Sequence, residues 1–214
     1  MSTHASARET ILSRIRAATQ GSDHAGYEAI PREYRRRGTL AARPCVELMI
    51  ERLREYDAEV VECTVAELPG AIAAQLAASG RRRFVAPAGL PGEWMAAGYE
   101  WHVDCGLSTN EIEQTEGVVT ASSCGVADSG TIVLHHRAAE GRRVLTLLPD
   151  WHLCILRASD VVETLPEYFD RLAEPPALAT CISGPSATAD IEMTRIKGVH
   201  GPRFLHVIVV RDEI

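Results

Sequence analysis

The 214-residue chain is 46% apolar, which allows a sizeable core and argues against disorder. Its 22 basic and 29 acidic residues leave a net charge of −7, which excludes nucleic acid as the main partner, because backbone binding needs a basic face. No apolar window is long enough for a membrane span, the start lacks an apolar signal core, and the six cysteines show no C-x-x-C spacing, so a reduced cytoplasmic protein without a disulfide framework or iron–sulfur signature is expected.

In chain order, Ala7 to Thr19 carries Ile11, Leu12 and Ile15 on one face of an amphipathic helix, followed by an irregular, charged arm. Residues 1–43 are assigned to this helix and arm, and residues 44–214 to an α/β domain. From Pro44, the offsets of Val46, Met49, Ile50 and Leu53 predict a helix. "AEVVEC" predicts a strand, Leu68 to Ser79 a helix stopped by Gly80, Phe84 to Ala86 a strand, and "EWHVD" another. Alternating helix and strand indicates a parallel sheet with crossover helices. Gly117 to Ser123 and Gly130 to His136 are two β-prone runs around a turn, and predict a β-hairpin. Apolar runs at Val144 to Leu148 and Leu153 to Leu156 lead to a helix over "TLPEYFDRLAE", with Ser159 or Asp160 capping the approach and Leu165, Phe169 and Leu172 inward. "ALATCIS" predicts a strand, "TADIEMTRIKG" a helix and "RFLHVIVV" a final strand. The Arg35–Arg37 and Arg81–Arg83 runs are assigned to solvated loops.

Most chemical motifs are absent. There is no G-x-G and no P-loop, which excludes the common nucleotide folds. "ASSCG" falls one residue short of a nucleophile elbow, and Ser123 is followed by a turn and another β run instead of a helix. Cys124 has no histidine paired to it by any known pattern. His135 and His136 are adjacent, so on a strand they would face opposite ways. H-E-x-x-H is missing, and no metal site is assigned.

Two segments remain. "ADSGT" places Asp128, Ser129, Gly130 and Thr131 at the entry to a strand. "ISGPSATADIE" follows a strand, breaks at Gly184-Pro185 and offers Ser186 or Thr188 as a helix cap. Free backbone N–H groups at that helix end, with the hydroxyls of Ser183, Ser186 and Thr188, would suit an anion. Asp190 and Glu192 in the first turn would complement the helix dipole, but would repel a phosphate unless turned away. Simple capping therefore stays open beside ligand binding. Asp190, Glu192 and His200 are the candidate acid–base groups.

"ADSGTIVL", "LTLLPDWHLCIL" and "ISGPSATADIEMTRIKGVHGPRFLHVIVV" resemble the LutC/YkgG family, the lactate-utilisation proteins of the LUD domain. The resemblance runs from about Glu47 to Val210. It implies a NagB/RpiA/CoA-transferase-like fold: a mainly parallel sheet flanked by helices, with a β-hairpin insertion. It also implies work beside other lactate-utilisation subunits that oxidise lactate to pyruvate and carry the iron–sulfur clusters, so no cofactor is expected in this chain. Whether the chain is itself an enzyme is left open. The residues carried over are Asp128, Gly130, Thr131, His152, Ser183 to Glu192, His200, Gly201 and Pro202. Three roles follow: a subunit that binds a small anion or a partner, a stand-alone enzyme acting on a phosphorylated, CoA-linked or folate-like molecule, and a non-catalytic adaptor.

Overall fold

The computed structural model describes residues 6–21, 26, 29–185, 198 and 201–212, together with the backbone of 187–189 and 195–197. It divides into two units, Met1–Tyr34 and Arg35–Ile214. In the first, α1 (Ala7–Thr19) begins at a capping box. The Glu9 N–H donates to Ser6 Oγ at 3.3 Å, and the Ser6 N–H donates to the Glu9 carboxylate at 2.8 Å.

The second unit is built on a six-stranded sheet. Its strands are β1 (Glu59–Thr64), β2 (Arg83–Pro87), β3 (Glu100–Asp104), β4 (Gly117–Ala121), β7 (Trp151–Arg157) and β12 (Phe204–Arg211). They lie in the order β1-β12-β7-β4-β2-β3, and every neighbouring pair is parallel. Helices α2 (Ala42–Glu55), α3 (Leu68–Ser79) and the short α4 (Thr109–Glu113) are interspersed with the strands along the chain. A sheet covered on both faces needs strands apolar on both sides, and β7 and β12 are buried along almost their whole length. Alternate residues enter different cores. Leu205, Val207 and Val209 join Cys154 and Leu156 in one core, with Val46, Met49 and Leu53 of α2. Ile208 and Val210 join Trp151, Leu153 and Ile155 in the other, with Ile72 and Leu76 of α3. Gly80, at φ 68°, closes α3 in the left-handed conformation.

A second sheet packs with α2. Its strands β5 (Cys124–Val126), β6 (Thr131–Leu134), β8 (Val161–Val162) and β9 (Thr180–Ile182) lie in the order β8-β5-β6-β9. β5 and β6 form the antiparallel hairpin, joined by a 3₁₀ turn at Ala127–Ser129 and by Gly130. The expected hairpin is therefore present, but its first β run is split. β4 stays in the large sheet, and the chain changes sheets at Ser122 and Ser123. Local hydroxyls satisfy this break: Ser122 Oγ donates to the Ile155 carbonyl at 2.8 Å, and Ser123 Oγ donates to the buried Glu140 carboxylate at 2.5 Å.

Two expectations are corrected. Over "TADIEMTRIKG", the described backbone forms an antiparallel hairpin, β10 (Ala187–Ala189) and β11 (Arg195–Lys197), where a helix was expected. Thr188, Ile191, Thr194 and Ile196 are β-branched, and this composition favours strand over helix. In α5 (Leu165–Asp170), the inward residue is Tyr168, whereas Leu165 and Phe169 are exposed. The cap is Thr164, which accepts from the Glu167 N–H, and the helix is under two turns long. Ser159, offered as a cap, instead donates to Asp212. Among the described residues, no helix is long and apolar enough to cross a membrane.

Candidate functional site

The candidates His152, Ser183, Gly184 and Gly201 converge on one cavity of about 230 Å³, with Pro185 and Pro202 of the same motif. It opens where β9 ends and where β7 and β12 begin, since His152 and Leu205 are each second in their strand. The cavity therefore lies at the amino-terminal edge of the large sheet, although the motif itself follows the carboxyl end of β9. The "ADSGT" turn reaches it through hydroxyls. Ser129 Oγ lies 2.7 Å from Thr131 Oγ1, which lies 2.7 Å from Ser183 Oγ.

The other members of that turn serve the framework. Gly130 has a φ of +58°, and a Cβ there would come within 2.8 Å of Arg52 Cβ on α2. Asp128 is paired with Arg35, which also donates to Glu163 at 2.8 Å. Glu163 is buried and further accepts the N–H groups of Thr39 and Leu40, both at 2.6 Å. Ser186, Asp190, Glu192 and His200 lie outside the described residues, and Thr188 is placed on β10 by its backbone alone. The helix-end cradle expected at Ser186 or Thr188 is replaced by the hairpin, so an anion site there must be built from other groups.

The structure supplies such a group in Arg143, which sequence reasoning passed over. It begins the 3₁₀ turn Arg143–Thr146 and lines the cavity with Thr146 and His152. Its Nη1 donates to the Thr146 carbonyl and to Thr146 Oγ1, both at 3.1 Å. No carboxylate among the described residues pairs with it, and burial lowers its basicity. The adjacent Arg142 differs: it holds Asp104 in a two-pronged bond at 2.6 and 2.7 Å. Of the described residues lining the cavity, Arg143 is the only charged one. A desolvated guanidinium without a counter-ion is costly, and an anion in the cavity would offset that cost. The sequence signal was slight: two arginines after Gly141, one of them without a carboxylate partner among the described residues.

His152 lines the same cavity. It is almost fully buried, and burial, then the Arg143 charge, push its imidazole down to about 3, so the ring is neutral. Its Nε2 lies 2.8 Å from Thr120 Oγ1. On the far wall, Thr180 Oγ1 lies 2.8 Å from His136 Nε2, and His136 Nδ1 donates to the Gly141 carbonyl at 2.8 Å. His136 follows the end of β6 with a φ of +58°, while His135 turns to the Tyr168 hydroxyl at 2.9 Å. Neither Ser123 nor Cys124 is set up as a nucleophile. Ser123 is bound to Glu140, and burial pushes the Cys124 thiol up to about 12.

A larger cleft of about 580 Å³ lies elsewhere, between the start of α2 and α5. Its two arginines, Arg37 and Arg171, face three carboxylates, Glu163, Glu167 and Asp170, and it contains none of the sequence candidates. Its charge balance does not suit an anion. The arginine runs serve partly as structural ion pairs, Arg81 with Asp150 at 3.6 Å and Arg83 with Glu116 at 3.7 Å.

A mostly parallel six-stranded sheet flanked by helices defines the class as an α/β domain, and comparison with known proteins narrows it. The LUD domain family model matches residues 46–210, and the chain belongs to that family. It is 38% identical over 210 residues to Lactate utilization protein C of Deinococcus radiodurans, covering 96% of each chain. It is 32% identical over 184 residues to the protein of that name in Geobacillus thermodenitrificans, covering 76% of each. It is 34% identical over 110 residues to the uncharacterized protein YkgG of Escherichia coli, covering 48% of this chain and 47% of the other. A crystal structure of a DUF162 family protein from Deinococcus radiodurans aligns with a TM-score of 0.68 at 35% identity, covering 81% of this chain and all of the other.

Proposed function

We propose that this protein is a cytoplasmic component of a lactate-utilisation system and binds a small carboxylate in the Arg143 cavity. The relatives' names support the pathway. The observation that carries the ligand reading is the half-buried Arg143 guanidinium, which has no carboxylate partner among the described residues and lies beside a neutral imidazole and several hydroxyls. Size agrees. One water takes up ~30 Å³ of liquid and larger ligands use ~300–1,000 Å³, so about 230 Å³ suits a small acid better than a CoA or folate group. On this reading the redox centres sit on partner subunits.

The direct test is calorimetry with lactate, pyruvate and phosphate. Lactate or pyruvate should bind, and Arg143→Ala should weaken binding by tenfold or more, as expected for loss of a charged hydrogen bond of roughly 1.5–3 kcal/mol. Carboxylate binding unchanged by that substitution would refute the site. A deletion strain that grows normally on lactate would refute the pathway.

A further inference from the structure

Behind His152 lies a chain of polar groups, Thr120, Cys154 and the Ala121 carbonyl, that bears on which ring nitrogen carries the proton. The Ala121 carbonyl can only accept, and the Cys154 thiol donates to it at 3.9 Å. Cys154 is fully buried and keeps its proton, its thiol pushed up to about 12. Its sulfur therefore receives the Thr120 hydroxyl, also at 3.9 Å. With the hydroxyl proton on the sulfur side, Thr120 Oγ1 would accept from His152 Nε2, which lies 2.8 Å away. In that arrangement the imidazole proton is on Nε2 and Nδ1 keeps a bare lone pair. Nδ1 has no hydrogen-bond partner among the described residues, and the ring lines the same cavity as Arg143.

We propose that His152 is the specificity-determining residue of the cavity: its Nδ1 accepts a hydrogen bond from a hydroxyl on the carbon next to a carboxylate held by Arg143, so the site selects 2-hydroxy acids over 2-oxo acids. This rests on the reading that Arg143 binds a carboxylate. A 2-oxo acid would set a carbonyl lone pair against the Nδ1 lone pair, and an unsubstituted acid would leave Nδ1 without a donor. Sites built to pair with a hydroxyl discriminate strongly against ligands lacking one. Thr120 acts through His152 as a positioning residue.

Calorimetry of the full chain with lactate, pyruvate and propionate separates the two ideas. The expected result is lactate binding roughly ten- to a hundredfold tighter than the other two, the size of a buried polar mismatch. Thr120→Val should narrow the lactate–pyruvate gap and leave propionate affinity unchanged. Equal affinities for the three in the wild-type protein overturn the role of His152 and leave Arg143 as the carboxylate site. Loss of all binding, or binding indifferent to Arg143→Ala, removes both. Nitrogen-15 spectra of the imidazole give a reading independent of any variant. A non-protonated Nδ1 is expected in the ligand-free protein, and a protonated Nδ1 overturns the proposal.

Discussion

A methyl group at position 130 would occupy space already filled by α2. The backbone there is left-handed, and an added Cβ would sit 2.8 Å from Arg52 Cβ and 3.0 Å from its carbonyl carbon. Gly130→Ala should therefore destabilise the protein by about 2–4 kcal/mol, combining left-handed strain with overpacking, as read from the urea midpoint. His152 has a different consequence, set by pH. Its folded imidazole titrates near 3, against an ordinary 6.5 when unfolded. In the interval the unfolded chain takes up a proton that the folded chain refuses. Stability is thus full above about 6.5 and declines as pH falls toward 3, by on the order of 4 kcal/mol from this residue. His135 and His206 are shifted the same way by burial. His152→Gln should make the decline shallower by up to about 1.4 kcal/mol per pH unit, measured by urea unfolding at a series of pH values. The importance of His152 was legible in the sequence only as part of a motif. Its neutrality depends on burial and on the Arg143 charge, which only folding brings to it.

Short elements are where sequence and structure diverge. The periodicity of α2 and α3 and the apolar runs of β7 and β12 were readable, because one face or both faces of each are buried. The stretch Ala187–Lys197 was not, because its small and acidic residues imitate a helix start while its β-branched residues favour a hairpin. In α5 the inward face turned on a single residue, Tyr168, held through its hydroxyl by His135. The segment 35–40 has no regular structure, yet Glu163 ties down several of its groups. Glu163 accepts from Thr39, Leu40 and Arg35, and a Cβ at Gly38 would sit 2.2 Å from its carboxylate. Glu163→Ala should free this segment: hydrogen exchange at Thr39 and Leu40 should speed up, and stability should drop by about 2–4 kcal/mol as the two amides lose their partner.

At the level of the molecule, the parallel sheet was foreseeable from alternating helix and strand, and the second sheet only in part. The cavity was foreseeable in its motif residues and not in Arg143, because segments 143–146, 180–185 and 201–205 meet only in the folded chain. Since residues 35–40 are tied to Glu163 inside the second unit, a chain beginning at Arg35 should still unfold in one cooperative urea transition. A kinetic consequence lies in the sheet order. β1 pairs with β12, Glu59 aligned with His206, while β7 and β4 complete the other side. Until β12 inserts, the open edges of β1 and β7 cannot be joined, and closing so long a loop costs entropy before any contact repays it. Refolding should therefore pass through a slow stage with two exposed strand edges, in which concentrated chains stick to one another before the sheet can close.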